Sequence, residues 1–400
     1  MDPRINPYSP GAGVRPVELA GRDAEVEAFE IMVARALAGR PAQSIMFYGL
    51  RGVGKTVLLS ELLGSARAAG WIAAKVEADT GSERTPFRTQ VASALSTSLR
   101  QAYGRPHLGD RFRAALRTFT AFSLTASPDG ALSIGLDVDP QRGRGDTGSI
   151  LADLTDLAID LGEAAIDLGA GAVLFVDELQ HLDSEELGAI CQACHETAQR
   201  NLPFFVVGAG LPNLPGLLSI AKSYSERLFH YIRLDRLDDG DARVALERPA
   251  ELEGVEWSDD AMATVLRAAG GYPFFIQQYG QTTWDAAITS PISGADATEG
   301  IRVGREKLDR GFFRARWERA TPAERAYLAA MAIDGDGPSL TGTIAARLGK
   351  KPTSLGPTRA NLINKGLVYP PEHGQIAFTV PGMAGFIRRE DRRLMRSRVR

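Results

Sequence analysis

The sequence predicts an α/β protein built on a parallel β-sheet with helices on both faces. Three observations predict it. A glycine-rich loop lies between an apolar strand-like run and a helix-like run at 44–63, a second apolar run at 172–176 ends in Asp177 and Glu178, and further strand-like runs alternate with helical ones. With 400 residues the chain is long enough for two or three domains, and its hydrophobic fraction of 44% is that of a globular protein.

The glycine-rich loop, Gly49–Thr56, has the complete phosphate-binding pattern GxxxxGK[ST]. Ser44–Tyr48 reads as the strand that enters it and Val57–Leu63 as the helix that leaves it. Such a loop directs several backbone N–H groups at one anion, and the helix N-terminus adds a favourable dipole. Lys55 would reach the β- and γ-phosphates, and the Thr56 hydroxyl would ligate Mg²⁺. The predicted ATP-binding residues of this loop are Gly49, Gly52, Val53, Gly54, Lys55, Thr56 and Val57.

The second apolar run is typical of a central parallel strand that is buried on both faces. At its carboxyl end Asp177 would hold the magnesium ion, and Glu178 would polarise the attacking water. We therefore predict Lys55 and Glu178 as catalytic residues. The Asp-Glu pair, about 120 residues after the loop, favours a hydrolysing ATPase over a small-molecule kinase, for which no acceptor motif is evident.

Three more strands complete the predicted sheet, at Ile72–Ala78, Leu202–Gly208 and Leu228–Leu234. An insertion of different character lies at 105–150, in which 122–138 predicts a β-hairpin. It is either a decoration of the core or a functional loop.

Helical spacing continues at Asp241–Glu253, Ser258–Ala269 and Tyr272–Ile288, and a charged helix is predicted at Asp296–Arg319. Together these form a helical lid.

The last stretch predicts three small helices followed by a hairpin, the winged-helix pattern. Thr321-Pro322-Ala323-Glu324 is a capping box that opens the first helix, 323–332. Helices at 340–349 and 354–366 follow, and then strand-like runs at 366–369 and 375–380. From Gly311 to Arg400 the chain has 16 Lys+Arg and 7 Asp+Glu, a net charge of +9. Because the whole chain has a net charge of −3, the residues before Gly311 have a net charge of −12. This asymmetry indicates a polyanion, double-stranded DNA, as partner, with a solubilising basic tail as the alternative.

In a winged helix the third helix enters the major groove and the wing touches the backbone or the minor groove. Lys350, Lys351 and Arg359 would contact phosphates, and Thr358 and Asn361 would meet base edges. Many winged helices instead bind proteins or pack on their own ATPase core. The predicted DNA-binding residues are Lys350, Lys351, Ser354, Thr358, Arg359, Asn361, Lys365 and His373.

The order of Glu18–Asp23, the glycine loop and the Asp-Glu pair resembles the AAA+ ATPases related to the origin recognition complex and to the STAND signalling ATPases. The resemblance implies that Gly21 and Arg22 lie near the adenine. It also implies a trans-acting arginine, for which Arg227 is the candidate with a surface ion pair as the alternative, and assembly into a homo-oligomer. The winged-helix tail resembles that of the same families.

Two departures modify this expectation. The usual polar sensor after the third strand is not evident, and Asn213 is its candidate. Gly271-Tyr272-Pro273 resembles the Gly-x-Pro motif of STAND proteins, which would bring Tyr272 or Pro273 near the nucleotide and leave no charge to sense the γ-phosphate. Slow turnover, with ATP acting as a switch, is the expectation.

The predicted domains are an N-terminal segment with the first helix at 1–40, which packs on the nucleotide site, the ATPase core at 41–237, the lid at 238–319 and the winged helix at 320–400. The leading hypothesis is an ATP-regulated DNA-binding protein in which ATP sets the lid. The alternative is a STAND-like signalling ATPase whose winged helix makes protein or intramolecular contacts.

The two cysteines form Cys191-Gln192-Ala193-Cys194-His195, which matches a haem-attachment pattern, but its place on a core helix favours buried thiols. The N-terminus has no apolar signal region and no stretch is long enough to cross a bilayer, so we expect a cytoplasmic protein without membrane contact.

Overall fold

The computed structural model describes residues 1–78, 85–104, 109–126, 139–140 and 143–398, and the side chains as far as residue 391. Contacts divide the chain into two compact units. The first, here called the α/β unit, comprises 22–49 and 55–234. The second, the helical unit, comprises 1–21, 50–54 and 235–400.

The α/β unit has a five-stranded sheet in the order β2-β3-β4-β1-β5, with parallel neighbours throughout. Its elements are α1 (Asp23–Leu37), β1 (Ser44–Tyr48), α2 (Lys55–Ala68), β2 (Ile72–Glu77), α3 (Phe87–Tyr103), α4 (Asp110–Ala126), α5 (Ile150–Asp167), β3 (Ala172–Asp177), α6 (Ser184–Gln199), β4 (Phe204–Gly210), α7 (Leu214–Ala221), α8 (Ser225–Leu228) and β5 (Phe229–Arg233). The predicted α/β class with a parallel sheet is confirmed.

The sheet places the carboxyl ends of β1, β4 and β3 side by side, with β4 in the middle. Strands β3 and β4 are buried along their whole length, as continuous apolar runs in a parallel sheet should be. The glycine loop after β1 and the acidic pair after β3 therefore share one edge of the sheet, separated by β4.

The hairpin predicted at 122–138 is wrong where the structure describes it, because Phe122–Thr125 belong to helix α4. The buried residues Phe112, Leu116, Phe119 and Phe122 of α4 repeat at helical spacing, so the apolar stripe that faces α5 determines the conformation. The rest of the predicted hairpin, 127–138, lies outside the described residues.

The helical unit begins its lid part with α9 (Asp239–Leu252), α10 (Asp259–Ala269), α11 (Pro273–Ala286) and α12 (Gly294–Leu308), and a π-turn over Asp309–Phe313 leads into α13 (Arg314–Glu318). Ser258 caps α10, since its hydroxyl accepts the Ala261 N–H. The N-terminal residues pack on these helices through Tyr8, which is 1% exposed and whose ring lies 6.5 Å from that of Trp284.

The C-terminal part contains α14 (Pro322–Ala332), β6 (Ser339–Leu340), α15 (Thr341–Arg347), α16 (Gly356–Asn364), β7 (Val368–Tyr369), β8 (Gln375–Phe378) and α17 (Met383–Arg398). The strands form a small antiparallel sheet in the order β6-β8-β7. Both hydrogen bonds of the capping box predicted at Thr321 and Glu324 are present.

The basic stretch that was the alternative to a DNA-binding surface continues a helix, α17, whose first turns are packed. In α17 the side chains of Met383, Phe386 and Ile387 are buried, and Asp336 accepts the N–H groups of Gly382 and Ala384 at 2.9 and 3.1 Å. The rings of Phe386 and Phe313 stack at 5.5 Å. Lid and C-terminal part thus share one continuous hydrophobic core. In the described part of the chain, no helix has the length and apolar composition to cross a membrane.

Candidate nucleotide-binding and hydrolysis site

The glycine loop adopts a conformation that needs glycine at two positions. Gly52 and Gly54 have φ angles of 87° and 94°, in the left-handed region that strains other residues. Lys55 follows as the first residue of α2, so the loop ends on a helix N-terminus. Its side chain is buried, and Nζ donates a 2.9 Å hydrogen bond to the Gly49 carbonyl. A cation and a helix N-terminus therefore stand where the sequence predicts phosphates.

Asp177, at the end of β3, is 1% exposed and uses one carboxylate oxygen inside the protein. Its Oδ1 accepts the Glu178 N–H at 2.9 Å, whereas Oδ2 is buried without a partner among the described residues. A buried carboxylate oxygen with no donor suits a cation. Asp177 and the Thr56 hydroxyl, on the first turn of α2, are oxygen ligands of the kind Mg²⁺ prefers, so these residues fit the ion that ATPases use. Bound there, Mg²⁺ would neutralise charge on the phosphate oxygens.

Glu178 has a left-handed backbone, with φ 53° and ψ 39°, an uncommon conformation for a residue other than glycine. The turn that follows, Leu179–His181, carries two side chains that face its carboxylate. The Gln180 amide donates to Glu178 Oε2, and His181 Nε2 lies 3.5 Å from the same oxygen. The backbone turn and these neighbours fix the direction of the carboxylate.

The end of β4 connects the two sides of the site. The Gly210 carbonyl accepts the Gly49 N–H at 3.1 Å, and the Leu211 N–H donates to Gln180 Oε1 at 3.0 Å. These two groups belong to the same peptide bond. Sequence reasoning missed Gln180, because an amide two residues after an acidic pair has no special pattern until the pairing of β4 is known.

The proposed sensor, Asn213, lies just after β4 at the start of α7. Its Oδ1 is buried without a partner among the described residues. The amide therefore has unused hydrogen-bonding capacity near the end of β4, and its sensor role remains a prediction.

The residues predicted near the adenine have defined local surroundings. Gly21 has φ 65°, and a Cβ on it would lie 2.4 Å from Asp241 Oδ2, so no side chain fits there. Arg22 is buried, and its guanidinium lies 3.7 Å from Glu25 on α1. Contact of Gly21 and Arg22 with the adenine stays a prediction.

The Gly-Tyr-Pro segment of the lid starts α11, with Pro273 as its first residue. Tyr272 is half-buried, and burial raises the pKa of its phenol. The next residue, Phe274, donates its N–H to the Gly52 carbonyl at 3.3 Å. Here it is Phe274, and not Tyr272 or Pro273, that hydrogen-bonds to the glycine loop.

A second hydrogen bond reaches the glycine loop from the C-terminal part. The Arg51 N–H donates to the Thr379 carbonyl at 2.9 Å, and Thr379 follows directly on β8. The Thr379 side chain is fully buried, and its hydroxyl donates to the Gly366 carbonyl at 2.8 Å. No sequence pattern predicts this contact, because 328 residues separate its partners.

Arg227 is exposed on α8, and its carbonyl accepts the Gln43 amide at 2.9 Å. No carboxylate forms an ion pair with its guanidinium in the part of the chain that the structure describes. The surface ion pair considered as its alternative role is therefore not formed here, and the trans-acting role stays a prediction.

The residues predicted to contact DNA fall into two groups. Five are exposed around α16 and the β7–β8 turn, namely Lys350, Lys351, Ser354, Asn361 and His373. The other three are half-buried. They are Thr358 and Arg359 on α16, and Lys365 directly after it. Arg359 donates to the Gln375 carbonyl at 3.2 Å, and Lys365 Nζ donates to Glu324 Oε2 at 2.6 Å and to the Arg319 carbonyl at 2.9 Å. Lys365 thus has a structural partner for its charge.

The cysteine pair is buried in α6, and burial raises the pKa of both the Cys191 and Cys194 thiols to about 12. Within the described residues no cluster of His, Cys, Asp and Glu side chains is arranged to hold a metal ion. Cys191 and Cys194 are thus buried free thiols, as the sequence favours.

Comparison with known proteins agrees with this geometry. Residues 18–207 match the family model described as the AAA ATPase domain. This part of the chain is similar to AAA ATPase domains. The predicted ATPase activity and the coarse resemblance to AAA ATPases are confirmed. A second family model, described as a domain of unknown function, matches residues 310–387. Among curated protein sequences, none matches the chain.

Among solved structures, the Walker-type ATPase PABY2304 of Pyrococcus abyssi is similar over 94% of this chain and 97% of its own, with 15% identity and a TM-score of 0.59. It shows a shared fold. Two further structures are more distant. The Holliday junction branch migration motor RuvB of Thermotoga maritima is similar over 92% of this chain and 96% of its own, with 18% identity and a TM-score of 0.45. The Aeropyrum pernix ORC1 protein in complex with DNA is similar over 94% of each chain, with 15% identity and a TM-score of 0.45.

Proposed function

We propose that this ATPase is a slow, nucleotide-controlled switch, that its C-terminal part is a winged helix, and that the winged helix binds double-stranded DNA. In this proposal the loop 49–56 binds ATP with Mg²⁺, Lys55 holds the β- and γ-phosphates, and Glu178 polarises the attacking water. Hydrolysis resets the switch.

One observation carries the switch: residues 51 and 52 of the phosphate loop are hydrogen-bonded to Thr379 and Phe274. Phosphate binding requires the loop N–H groups to converge on the anion. Nucleotide binding and release therefore act on Arg51 and Gly52, and through them on the lid and the C-terminal part. Because the Arg51 N–H donates to the Thr379 carbonyl, a rearrangement of the loop at Arg51 either moves Thr379 with it or breaks this hydrogen bond.

The shared core makes the response collective. Phe313 of the lid stacks on Phe386 of α17, and the Arg389 guanidinium bonds Asp309 at 2.5 Å. Packed cores shift between discrete arrangements and do not deform continuously. Lid and C-terminal part are thus expected to respond to nucleotide as one body.

The DNA assignment depends on an exposed basic and polar surface. Lys350 and Lys351 precede α16, the third helix of the C-terminal part, and Asn361 is exposed on it. Lysines at the start of such a helix suit phosphates, and an exposed Asn suits an adenine edge. The net charge of +9 in 311–400 attracts this part of the chain to the negatively charged phosphates of DNA.

Fluorescence anisotropy with a labelled duplex tests this proposal, at salt concentrations from about 50 to about 200 mM. The double variant Lys350→Ala/Lys351→Ala should bind more weakly and reduce the salt slope by about 2. Lys307→Ala, an exposed lysine on α12, is the matched control and should bind as the wild type does. Lys55→Ala should abolish the difference between ATP and ADP. If the wild type binds no duplex at low salt, the DNA assignment is wrong.

The second candidate is a STAND-like signalling ATPase in which the C-terminal part holds the phosphate loop until a partner protein releases it. The Thr379–Arg51 hydrogen bond favours it, because an intramolecular contact is what this mode needs. Nucleotide extracted from purified protein and identified by chromatography distinguishes the two. Bound ADP together with no DNA affinity selects the signalling ATPase.

Assembly into a homo-oligomer is a separate part of the proposal, supported by the exposed guanidinium of Arg227. Sizing chromatography with ATP should give a larger species, and Arg227→Ala should lose turnover more than nucleotide affinity. A monomer with unchanged turnover in the variant would exclude the trans-acting role.

A further inference from the structure

We infer that Gln180 is a positioning residue for ATP hydrolysis, one that joins the Glu178 carboxylate to the phosphate loop. The inference rests on the proposed role of Glu178. Three hydrogen bonds form the connection: Gly49 N–H to the Gly210 carbonyl, Leu211 N–H to Gln180 Oε1, and the Gln180 amide N–H to Glu178 Oε2.

The middle of this connection is one rigid unit. The Gly210 carbonyl and the Leu211 N–H belong to a single planar peptide, so a movement of one moves the other. On one side the peptide accepts from the first glycine of the phosphate loop, and on the other it donates to Gln180. A shift of the loop at Gly49 is therefore passed to Gln180 without any intervening flexible side chain.

The orientation of the Gln180 amide is determined by its partners. A backbone N–H can only donate, so the oxygen of the amide must face Leu211, and the NH₂ group is left for Glu178. A Cβ on Gly210 would lie 3.0 Å from Gln180 Oε1, so the absence of a side chain at 210 gives the amide room. The amide is thus held at both ends.

This arrangement restricts a carboxylate that must be aimed correctly. Glu178 has a strained left-handed backbone, and the groups that face its Oε2 are the Gln180 amide and the His181 ring at 3.5 Å. A general base loses much of its effect when its direction is wrong by a small amount. Gln180 fixes that direction and makes it depend on the phosphate loop.

Steady-state ATP hydrolysis and nucleotide affinity of three variants test the inference. Gln180→Met keeps the length and loses both hydrogen bonds. Gln180→Glu keeps the acceptor for Leu211 but loses the donor to Glu178. Gln199→Met, at an exposed position on α6, is the matched control. We expect kcat to fall about tenfold to a hundredfold in both Gln180 variants. We expect their affinity for ADP to change by less than about twofold, and the control to match the wild type.

A purely structural role gives a different pattern. Wild-type turnover in Gln180→Glu overturns the inference, because this variant keeps the acceptor for Leu211 and loses the donor to Glu178. In a Glu178→Gln background, Gln180→Met should cause no further loss, because residues that act as a unit are not additive. A further loss by the same factor also overturns it. Wild-type turnover in Glu178→Gln alone would instead refute the proposed role of Glu178, a separate result.

Discussion

The charge of Lys365 gives a sharp prediction, because sequence and structure assign it different roles. The sequence places it among the DNA contacts, whereas its Nζ lies 2.6 Å from Oε2 of Glu324, a residue that is 3% exposed. The same Oε2 accepts the Thr321 N–H of the capping box at 2.7 Å. We expect Lys365→Met to lower stability and to leave DNA affinity nearly unchanged.

The magnitude follows from the geometry. At 2.6 Å and an effective dielectric constant of about 20, the gross attraction is about 6 kcal/mol. Desolvation of Glu324 and the ordering of the lysine chain cancel most of it, and Lys365 is partly exposed, so we expect a net loss of about 2 kcal/mol. For a unit of this size that lowers Tm by roughly 6 °C.

The pH dependence of this loss has a definite sign. Burial raises the pKa of the Glu324 carboxyl, but the hydrogen bonds from Lys365 and the Thr321 N–H together lower it by more. The pKa in the folded protein therefore lies below its ordinary value. A lowered pKa contributes stability above the unfolded value and loses it as pH falls through the folded value. The Tm difference between wild type and variant should therefore be complete near neutral pH and shrink below pH about 4.5.

The assay is thermal unfolding monitored by circular dichroism from neutral to acidic pH, with anisotropy measured on the same samples. Lys351→Met is the matched control and should show the opposite pattern, unchanged Tm and weaker DNA binding. The double variant Lys365→Met/Glu324→Gln should recover part of the lost stability, because no buried charge remains. An unchanged Tm in Lys365→Met together with weaker DNA binding would refute this reasoning.

Three further predictions concern the site and the cores. Glu178→Gln should lower kcat by at least about a hundredfold and keep ATP affinity, as measured by steady-state turnover and titration. Burial raises the pKa of the Cys191 and Cys194 thiols to about 12, so both should stay unreactive toward a disulfide reagent at pH about 8 until the protein unfolds. Rapid labelling of these thiols in the folded protein would contradict this. Gly300→Ala should destabilise by about 1–3 kcal/mol, since its Cβ would lie 2.4 Å from the Thr283 Cα, whereas Gly311→Ala meets open space.

The sequence predicts most of the sheet, because continuous apolar runs between glycine-rich turns mark buried parallel strands. The end of β4 shows where this reasoning stops. The predicted strand ends at Gly208, but β4 runs to Gly210, because its glycines leave space for neighbouring side chains. A Cβ on Gly208 would lie 2.3 Å from the Leu179 side chain. Glycines in a sequence predict a turn, whereas Gly208 and Gly210 lie inside β4 and make room for closely packed neighbours.

The contacts that connect the site could not be predicted for a related reason. Gln180 meets Leu211, and Thr379 meets Arg51, only because tertiary packing joins distant parts of the chain. Likewise the arginines that dominate the composition of α17 leave a solubilising tail as an alternative in the sequence, although Met383, Phe386 and Ile387 follow helical spacing and are buried in the structure. Local pattern identifies the chemical groups, and long-range packing determines which of them act together.

Hydrogen exchange of the peptide that contains residues 366–383, with and without Mg²⁺ and ATP, tests the central claim most directly. The account predicts that nucleotide changes the protection of this peptide, because its Thr379 carbonyl holds the Arg51 N–H of the phosphate loop. In Lys55→Ala the same addition should leave protection unchanged. Equal protection in the wild type with and without nucleotide, at concentrations that saturate the site, would contradict control of the C-terminal part by ATP.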